Sequence, residues 1–281
     1  MSDILAIDAC GWDARLSLAY ERRDGRSVLV RRQQTGPLAV QKTLYPEGQE
    51  VCHSILLHPP GGVAGGDSLN IGLHLEAGSH VLVTTPGAGK WYKANGRQAR
   101  QTLHICAAAH AVVEWLPQEN IVFDGAKVDW QTQVELEQDA TWLGWEITCL
   151  GRTAGGESFS SGVLENAVSV RRDGRWLWHE QARLMGGGAI LNNPVGLNSK
   201  PVFGTLLATG RDAPNSLLEA CRAIVAPEGV QTGITRLPGV LAARCLAPGA
   251  EAAREWLTRV WAEIRPHYAG REAVQPRIWS T

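Results

Sequence analysis

Two glycine-rich stretches carry the side chains best suited to chemistry. The first, Leu57–Asp67 (LHPPGGVAGGD), contains His58 and ends on the acid Asp67; the second, Gly151–Glu157 (GRTAGGE), ends on Glu157. Proline fixes the backbone and glycine permits close approach, so both stretches predict shaped loops. Two carboxylates held in such loops on a β scaffold, near the amine of Lys90, are one arrangement for glycoside-type hydrolysis.

Metal binding is the second chemistry that the residue types permit. His58 follows closely on Cys52 and His53, and His104 and Cys106 alternate onto one strand face. Imidazole and thiolate suit Ni²⁺ or Zn²⁺. However, the sequence has no H-E-x-x-H, H-x-x-E-H or paired C-x-x-C pattern, so we expect no tightly closed metal site.

Other motifs for catalysis are incomplete. Gly87–Lys90 looks like the end of a phosphate loop, but Thr84 occupies the first glycine position and Trp91 replaces the Mg²⁺-binding hydroxyl. There is no G-x-G-x-x-G before a helix, and Gly156–Gly162 fails the G-x-S-x-G pattern. Nucleotide binding is therefore not predicted, while a triad built from distant residues stays open.

Basic and aromatic side chains cluster in several places and have two interpretations. They are either core residues and alkyl stems lying over a sheet edge, or contacts for a partner protein, where Trp, Tyr and Arg dominate the binding energy. Arg152 and Glu157 are equally open, as an ion pair that pins a loop or as a polar pair that lines a cavity. The candidate partner contacts are Lys90, Trp91, Tyr92, Arg152, Arg277 and Trp279.

Composition restricts the class of protein. The 281 residues are 44% hydrophobic with a formal net charge of -1, which predicts a globular chain with no electrostatic attraction for nucleic acid or an anionic membrane. The first twenty residues lack a signal-peptide pattern, and no apolar run is long enough to span a bilayer. The six cysteines are dispersed, which favours free thiols in the cytoplasm. We expect a single domain over residues 1–281.

The elements that must position these residues are mostly strands. Asp24-Gly25 between alternating segments predicts a hairpin over Arg15–Val30. Four further units of strand, tight turn and return strand recur at spacings of about 30 residues, which predicts a mainly β, β-helix-like stack of hairpin layers. These units are Leu73–Val83, Leu103–Val113, Val134–Gly144 and Val168–Trp178.

Two helices are predicted late in the chain. The first begins near Ala213-Pro214-Asn215-Ser216 and stops before Pro227. The second begins near Pro248, carries an apolar stripe with the ion pair Glu255–Arg259 outside it, and ends at Pro266.

Five motifs together resemble the urease accessory protein family UreD, also called UreH. The resemblance runs from about Leu38 to the C-terminus, and the order and spacing of the motifs make it specific. The motifs are HPPGGVAGGD (58–67), TTPGAGKWY (84–92), LPQENIVFDGA (116–126), GRTAGGESF (151–159) and PRIW (276–279).

The resemblance implies an all-β stack with two helices that acts as a cytoplasmic, non-enzymatic scaffold. Such proteins bind apo-urease and UreF, which recruits the GTPase UreG, and help to load nickel into urease. No cofactor is then tightly bound, and Ni²⁺ is only in transit. Candidate side chains for its path are Asp67 and Glu157, followed by His58 and Glu146. The alternatives are a β-solenoid hydrolase that uses Asp67 and Glu157, and a purely structural module.

Overall fold

The computed structural model describes residues 11–280, so Cys10 and the N-terminal segment before Gly11 lie outside the described part. Strands dominate it. In chain order they are β1 (Asp13–Arg23), β2 (Arg26–Thr35), β3 (Ala39–Val40), β4 (Val51–Leu57), β5 (Ser68–Leu75), β6 (His80–Thr84), β7 (Gly89–Trp91), β8 (Ala99–Ala107), β9 (Val112–Trp115), β10 (Asn120–Val122), β11 (Lys127–Leu136), β12 (Thr141–Leu150), β13 (Val163–Arg172), β14 (Arg175–Met185), β15 (Val202–Thr209), β16 (Gln231–Leu237) and β17 (Val240–Ala247).

These strands form two sheets that face each other. The outer sheet has seven strands in the order β14-β13-β11-β8-β5-β1-β2. The middle sheet has ten strands: β16-β17-β15-β12-β9-β6-β4-β3 lie in one row, and β7 and β10 pair beside β12. Inward-pointing residues of both sheets share one apolar core, which includes Leu73, Ile105 and Val134 from the outer sheet.

The centre of the molecule is a stack of coils, each with one strand in either sheet. β5, β8 and β11 pair in parallel in the outer sheet, while β6, β9 and β12 pair in parallel in the middle sheet. The predicted stack is therefore confirmed. The prediction of hairpins was wrong for the first three units, because the turn after β5, β8 and β11 is a corner between the two sheets. Each of these strands pairs in parallel with the equivalent strand of the next coil, and not with the strand that follows it in the chain.

True hairpins close the outer sheet at both ends. β1 pairs antiparallel with β2, and β13 pairs antiparallel with β14. The turn residues Asp24 and Gly25, like Asp173 and Gly174, all have positive φ angles of 48° to 80°. Positive φ at both central positions is the geometry of the type I′ turn, which matches the twist of paired strands. Both Asp-Gly predictions are confirmed.

Three helices lie within residues 11–280: α1 (Ala189–Asn192), α2 (Asn215–Arg222) and α3 (Ala250–Ala269). The two predicted late helices are present, and α2 ends earlier than expected. The predicted end of α3 at Pro266 was wrong. Proline in the last turn removes only one backbone hydrogen bond, and the helix continues until Gly270, which adopts the left-handed conformation and donates its N–H to the Pro266 carbonyl.

A second core joins the helices to the middle sheet, and its centre is an ionic network. Trp256, Trp261 and Ile264 of α3 are buried against this sheet. Arg265, also fully buried, donates to the carboxylate of Glu114 on β9 at 2.9 to 3.1 Å and to that of Glu47 at 2.6 and 2.9 Å. The charges of both acids are thus compensated inside the protein.

The structure also bears on the predictions about the cysteines and about membrane-spanning segments. The described cysteines are all free, and Cys52, Cys149, Cys221 and Cys245 are buried. Within the described residues, none of the helices combines the length and apolar character that crossing a membrane requires.

Candidate functional site

One cavity lies between the two sheets at the end of the stack that carries β14 and β16. Its volume is about 440 Å³. Its wall is largely apolar, with Trp142 and Phe203 among the lining side chains, and its polar groups include Glu146, Asn166 and Glu180. The exposed residues Gln231 and Gly233 form part of its rim, so this first cavity opens to solvent there.

A second cavity, of about 210 Å³, lies between the same sheets under the glycine-rich loops. The loop after β4 contributes His58 and Val63, and the loop between β6 and β7 contributes Gly87 and Lys90. Gly87 and Lys90 are exposed and mark the opening of this cavity. The sequence motifs at residues 58–67 and 84–92 thus form one wall.

The two cavities meet at Glu146 and Trp115, which line both of them. Glu146 projects from β12 of the middle sheet and accepts hydrogen bonds from two outer-sheet side chains. Its Oε1 accepts from the Thr132 hydroxyl at 3.3 Å, and its Oε2 accepts from the Asn166 amide at 3.1 Å. The two cavities therefore adjoin at one carboxylate.

Burial raises the pKa of Glu146, and the charge of Glu180 adds to this effect, while the hydrogen bonds from Asn166 and Thr132 oppose it. In the wall of the first cavity, the guanidinium of Arg244 forms an ion pair with the carboxylate of Glu180 at an N–O distance of 2.8 Å. Within the described chain, the ion pairs of arginine, lysine and histidine do not include Glu146. This carboxyl group is half-buried in the wall of both cavities and forms none of the ion pairs found among residues 11–280.

His58 is the second predicted metal-path residue that faces a cavity. Its imidazole lines the second cavity, and burial lowers its pKa although the charge of Asp67 opposes the shift. At neutral pH the imidazole is therefore uncharged, which is the form that binds a metal ion. Glu146 and His58 thus border the same cavity, as a carboxylate and an imidazole with unfilled coordination capacity.

Asp67 lies outside the lining of both cavities and holds the loop that forms the wall. Its Oδ2 accepts the backbone N–H of Ala64 at 2.8 Å, and its Oδ1 accepts that of Trp12 at 2.8 Å. Both oxygens are therefore committed to the backbone. The nickel role predicted for Asp67 stays a prediction, and its visible effect is to fix the loop beside His58.

Glu157 has a comparable position in the GRTAGGE loop. Its Oε2 accepts from the Arg152 guanidinium at 2.7 and 3.0 Å, and its Oε1 accepts the backbone N–H of Asp124 at 3.1 Å. Of the two interpretations of this pair, the loop-pinning one agrees with these contacts. Asp67 and Glu157 are not paired across a cleft, so the arrangement for hydrolysis has no support in the geometry.

The six candidate partner contacts divide by exposure. Trp91 is 1% exposed, packs edge-on against Trp130 and donates to Asn120, so it is a core residue. Trp279 is half-buried between Trp145 and Trp261. The exposed candidates are Lys90, Tyr92, Arg152 and Arg277.

The sequence did not single out three residues of the cavity junction: Trp115, Thr132 and Asn166. For Asn166 the sequence did contain a signal. Successive side chains of a strand point to opposite faces, and the alternation along β13 places Asn166 on the inward face. For the metal, no group of three or more His, Cys, Asp or Glu side chains between residues 11 and 280 is arranged to hold an ion. Cys106 and His104 are in contact at 3.6 Å, as a pair only.

By its fold, the chain is a two-sheet β solenoid. It carries glycine-rich loops and two adjoining internal cavities. The family model of the UreD urease accessory protein matches residues 13–280. The chain belongs to this family. Proteins named urease accessory protein UreD from Azoarcus sp. strain BH72 and Pseudomonas fluorescens strain Pf-5 are 48% and 49% identical, over 100% and 96% of this chain and 99% and 95% of their own lengths. One from Methylobacillus flagellatus is 47% identical over 96% of this chain and 95% of its own length.

Proposed function

We propose that this chain is a urease maturation factor that acts in the cytoplasm as a non-catalytic scaffold. It binds apo-urease and UreF, UreG joins through UreF, and nickel passes through the interior of the scaffold to urease. The observation that carries the proposal is the pair of cavities that meet at Glu146, because a connected interior gives an ion a path shielded from competing ligands in solution.

The chemistry of the cavity walls suits transit better than storage. His58 and Glu146 offer one imidazole and one carboxylate, and neither belongs to a closed coordination shell. A borderline cation such as Ni²⁺ binds these ligand types, and an incomplete shell lets it leave again. Asp67 and Glu157 support the path by holding the loops, and a direct role of either carboxylate in carrying nickel is part of the same proposal.

Exposed side chains near the openings are the proposed contacts with partner proteins. Lys90 and Tyr92 lie beside the second cavity, and Arg152 and Arg277 are exposed elsewhere. A path through the interior requires that one partner covers each opening. We therefore propose that the nickel donor complex and apo-urease bind at opposite ends of the two adjoining cavities.

The proposal is tested by filling the cavity openings. A Cβ added at Gly87 or Gly233 meets no described heavy atom within 4 Å, so a larger side chain can begin at either rim without an immediate clash. The variants Gly87→Leu and Gly233→Leu are co-expressed with urease and its other accessory proteins. We expect the complex to form and the nickel content of urease to fall several-fold.

The matched control is Gly155→Leu, which also meets no described atom within 4 Å but lines neither cavity. This control should leave both complex formation and nickel content unchanged. Normal nickel content in the two rim variants, with complexes intact, would show that nickel does not pass through the interior.

A further inference from the structure

The second half of β2 is a free edge of the outer sheet. β2 is the last strand of that sheet, and among residues 11–280 the strand beside it in the sheet is β1 alone. Its first half is covered, because Ser27 donates its N–H to the Gln49 carbonyl at 3.0 Å and the Ser27 carbonyl accepts the Tyr45 hydroxyl at 3.0 Å. Residues 31–35 are all exposed. Every second residue of an edge strand points its backbone N–H and C=O groups away from the sheet, so this half of β2 can receive a further strand.

Two adjacent arginines mark this free edge. Arg31 and Arg32 are both exposed, and neither takes part in the ion pairs found among residues 11–280. By contrast, Arg100 and Arg183 of the same sheet each form an ion pair with an acid of the neighbouring strand. The hairpin of β1 and β2 contains six arginines and three acids, in a chain whose formal net charge is -1. The edge is therefore a basic strip with positive charge that the described chain does not neutralise.

Arg31 and Arg32 restrict which strand can be added, because consecutive residues of a strand point to opposite faces of the sheet. Their partners on β1 are Ala19 and the core residue Leu18, respectively. A neutral or basic strand beside them would cover two guanidinium groups without supplying a counter-charge, which opposes pairing. A strand with two consecutive acids places one carboxylate beside each guanidinium, at the distance of a cross-strand pair. The edge therefore discriminates in favour of an acidic strand.

The outward face beside the edge has space for the side chains of such a strand. Ser17 lies opposite Gln33 on β1, and Gly72 follows on β5. Both residues are small, and together with Arg32 and Gln33 they line an open groove in this face. The groove extends from β2 over β1 to β5, so long acidic or polar side chains of an added strand find room there.

We propose that the free half of β2 binds an extended, acidic segment of a partner protein, which adds to the outer sheet as its next strand and pairs two consecutive carboxylates with Arg31 and Arg32. Backbone hydrogen bonds supply affinity in this mode of recognition, and the side chains supply specificity. The inference rests on the proposed function for the identity of the partner assembly. It assigns a docking surface whose two arginines line neither cavity.

The charge contacts are tested with the double variant Arg31→Glu and Arg32→Glu. Binding of the purified chain to apo-urease and to the complex of UreF with UreG is measured separately. We expect the affinity for one of these partners to fall about tenfold or more. Raising the salt concentration from about 0.05 M to about 0.5 M should weaken wild-type binding more than binding of the variant. Arg31→Lys with Arg32→Lys keeps both charges and should retain most of the affinity.

The matched control is Arg22→Glu with Arg23→Glu, an adjacent exposed pair on the same hairpin that lies outside the free edge. It makes the same change in net charge, and the exposed ion pairs that it removes, with Glu50 and Glu21, contribute little to stability. Binding of both partners by this control should be nearly unchanged. Equal losses in the two double variants would show that overall charge is responsible and would overturn the proposal.

Hydrogen exchange tests strand addition separately from charge. In the complex with the affected partner, the backbone amides of residues 31–35 should exchange more slowly than in the free chain, because the outward N–H groups gain acceptors. Unchanged exchange would refute strand addition. Slow exchange already in the free chain would mean that another part of this chain or a second copy occupies the edge, which would also overturn the proposal.

Proline placed at Gln33 or at Gln34 gives a second readout. The N–H groups of consecutive strand residues point to opposite sides, so one substitution removes a hydrogen bond to β1 and the other removes only an outward donor. Thermal unfolding identifies the second kind as the more stable of the two variants. This variant should bind the affected partner about tenfold more weakly. Wild-type affinity in it would refute strand addition.

The outcomes also separate this inference from the proposed function. If the double variant Arg31→Glu and Arg32→Glu binds both partners and delivers nickel like wild type, the edge proposal is refuted and the proposed function stands. If the wild-type chain binds neither apo-urease nor the complex of UreF with UreG, the proposed function is refuted and the edge has lost its partner. Loss of one partner by the edge variant alone, with slower exchange at residues 31–35, supports both.

Discussion

Glu114 and Arg265 are single residues whose contacts decide whether the last helix stays on the sheet. Both side chains are fully buried, and the carboxylate of Glu114 also accepts from the Trp261 indole at 2.7 Å and contacts the His80 imidazole at 2.8 Å. Burial alone would raise the pKa of Glu114, but the hydrogen bond from His80 and the charge of Arg265 lower it to about 2. The ionised form is therefore built into the fold.

Replacing Glu114 with glutamine should lower the free energy of unfolding by about 3–5 kcal/mol, because it leaves the guanidinium of Arg265 buried with one partner fewer. Urea denaturation of the free chain measures the change. The matched control is Glu255→Gln on the exposed face of α3, where the partner is Arg259 and we expect a change of less than about 1 kcal/mol. Equal losses in both variants would contradict the assignment of the buried pair.

The same pair predicts how stability depends on pH. The folded pKa of Glu114 is depressed, so its contribution is fully present above the unfolded value of 4.5 and is lost as the pH falls toward about 2. The difference in unfolding free energy between wild type and Glu114→Gln should therefore shrink over that interval. A constant difference would mean that Glu114 is not ionised in the folded chain.

At the scale of elements, Trp279 joins the C-terminal turn to the middle sheet and to α3. The turn at Arg277–Ser280 places Trp279 against Trp145 and Trp261, at ring distances of 5.3 and 5.8 Å. The indole N–H donates to the Thr84 hydroxyl at 2.8 Å. The sequence left Trp279 open between core and partner contact, and these contacts favour the core.

Trp279→Ala should destabilise the free chain by about 2–3 kcal/mol, somewhat less than for a fully buried tryptophan, because this side chain is only half-buried. Thermal or urea unfolding measures this loss. Arg277→Ala, two residues earlier and exposed, should leave stability unchanged. If Trp279→Ala unfolds like wild type but binds UreF or urease more weakly, the ring is a partner contact after all.

Some elements were legible in the sequence and others were not, for physical reasons. Asp24-Gly25 and Asp173-Gly174 identify their hairpins because few residues tolerate positive φ at both turn positions. The corners after Leu75, Ala107 and Leu136 read as hairpins, because a period-two strand followed by a turn looks the same whether its partner is the next strand or the next coil.

The candidate site divides in the same way. Glu146 is a lone acid within the apolar strand TWLGWEITCL, and that contrast made it visible. Its neighbours Thr132 and Asn166 come from strands 14 and 20 residues away, and only the stacking register brings them to it. Glu114 and Arg265, 151 positions apart, meet only through the packing of α3 on β9, although each interrupts an apolar pattern.

On the scale of the whole molecule, residues 11–280 form a sheet stack in which β14 is an edge strand without a further strand beside it, and this edge must avoid pairing with other chains. The outward side chains Gln181 and Arg183 are exposed there. Polar and charged residues on an edge strand oppose the addition of another strand. With a net charge of only -1, the chain has little overall repulsion to keep copies apart.

The double variant Gln181→Val with Arg183→Val should therefore self-associate, because valine favours strand pairing at an unprotected edge. Light scattering at increasing protein concentration measures the association. The matched control, Gln133→Val with Lys127→Val, adds the same two valines to exposed positions of β11, which has partners on both sides and no free edge. If both variants associate equally, added hydrophobicity is responsible and the edge at β14 has no special role. If only the β14 variant associates, the polar side chains of this edge are what keeps copies of the chain apart.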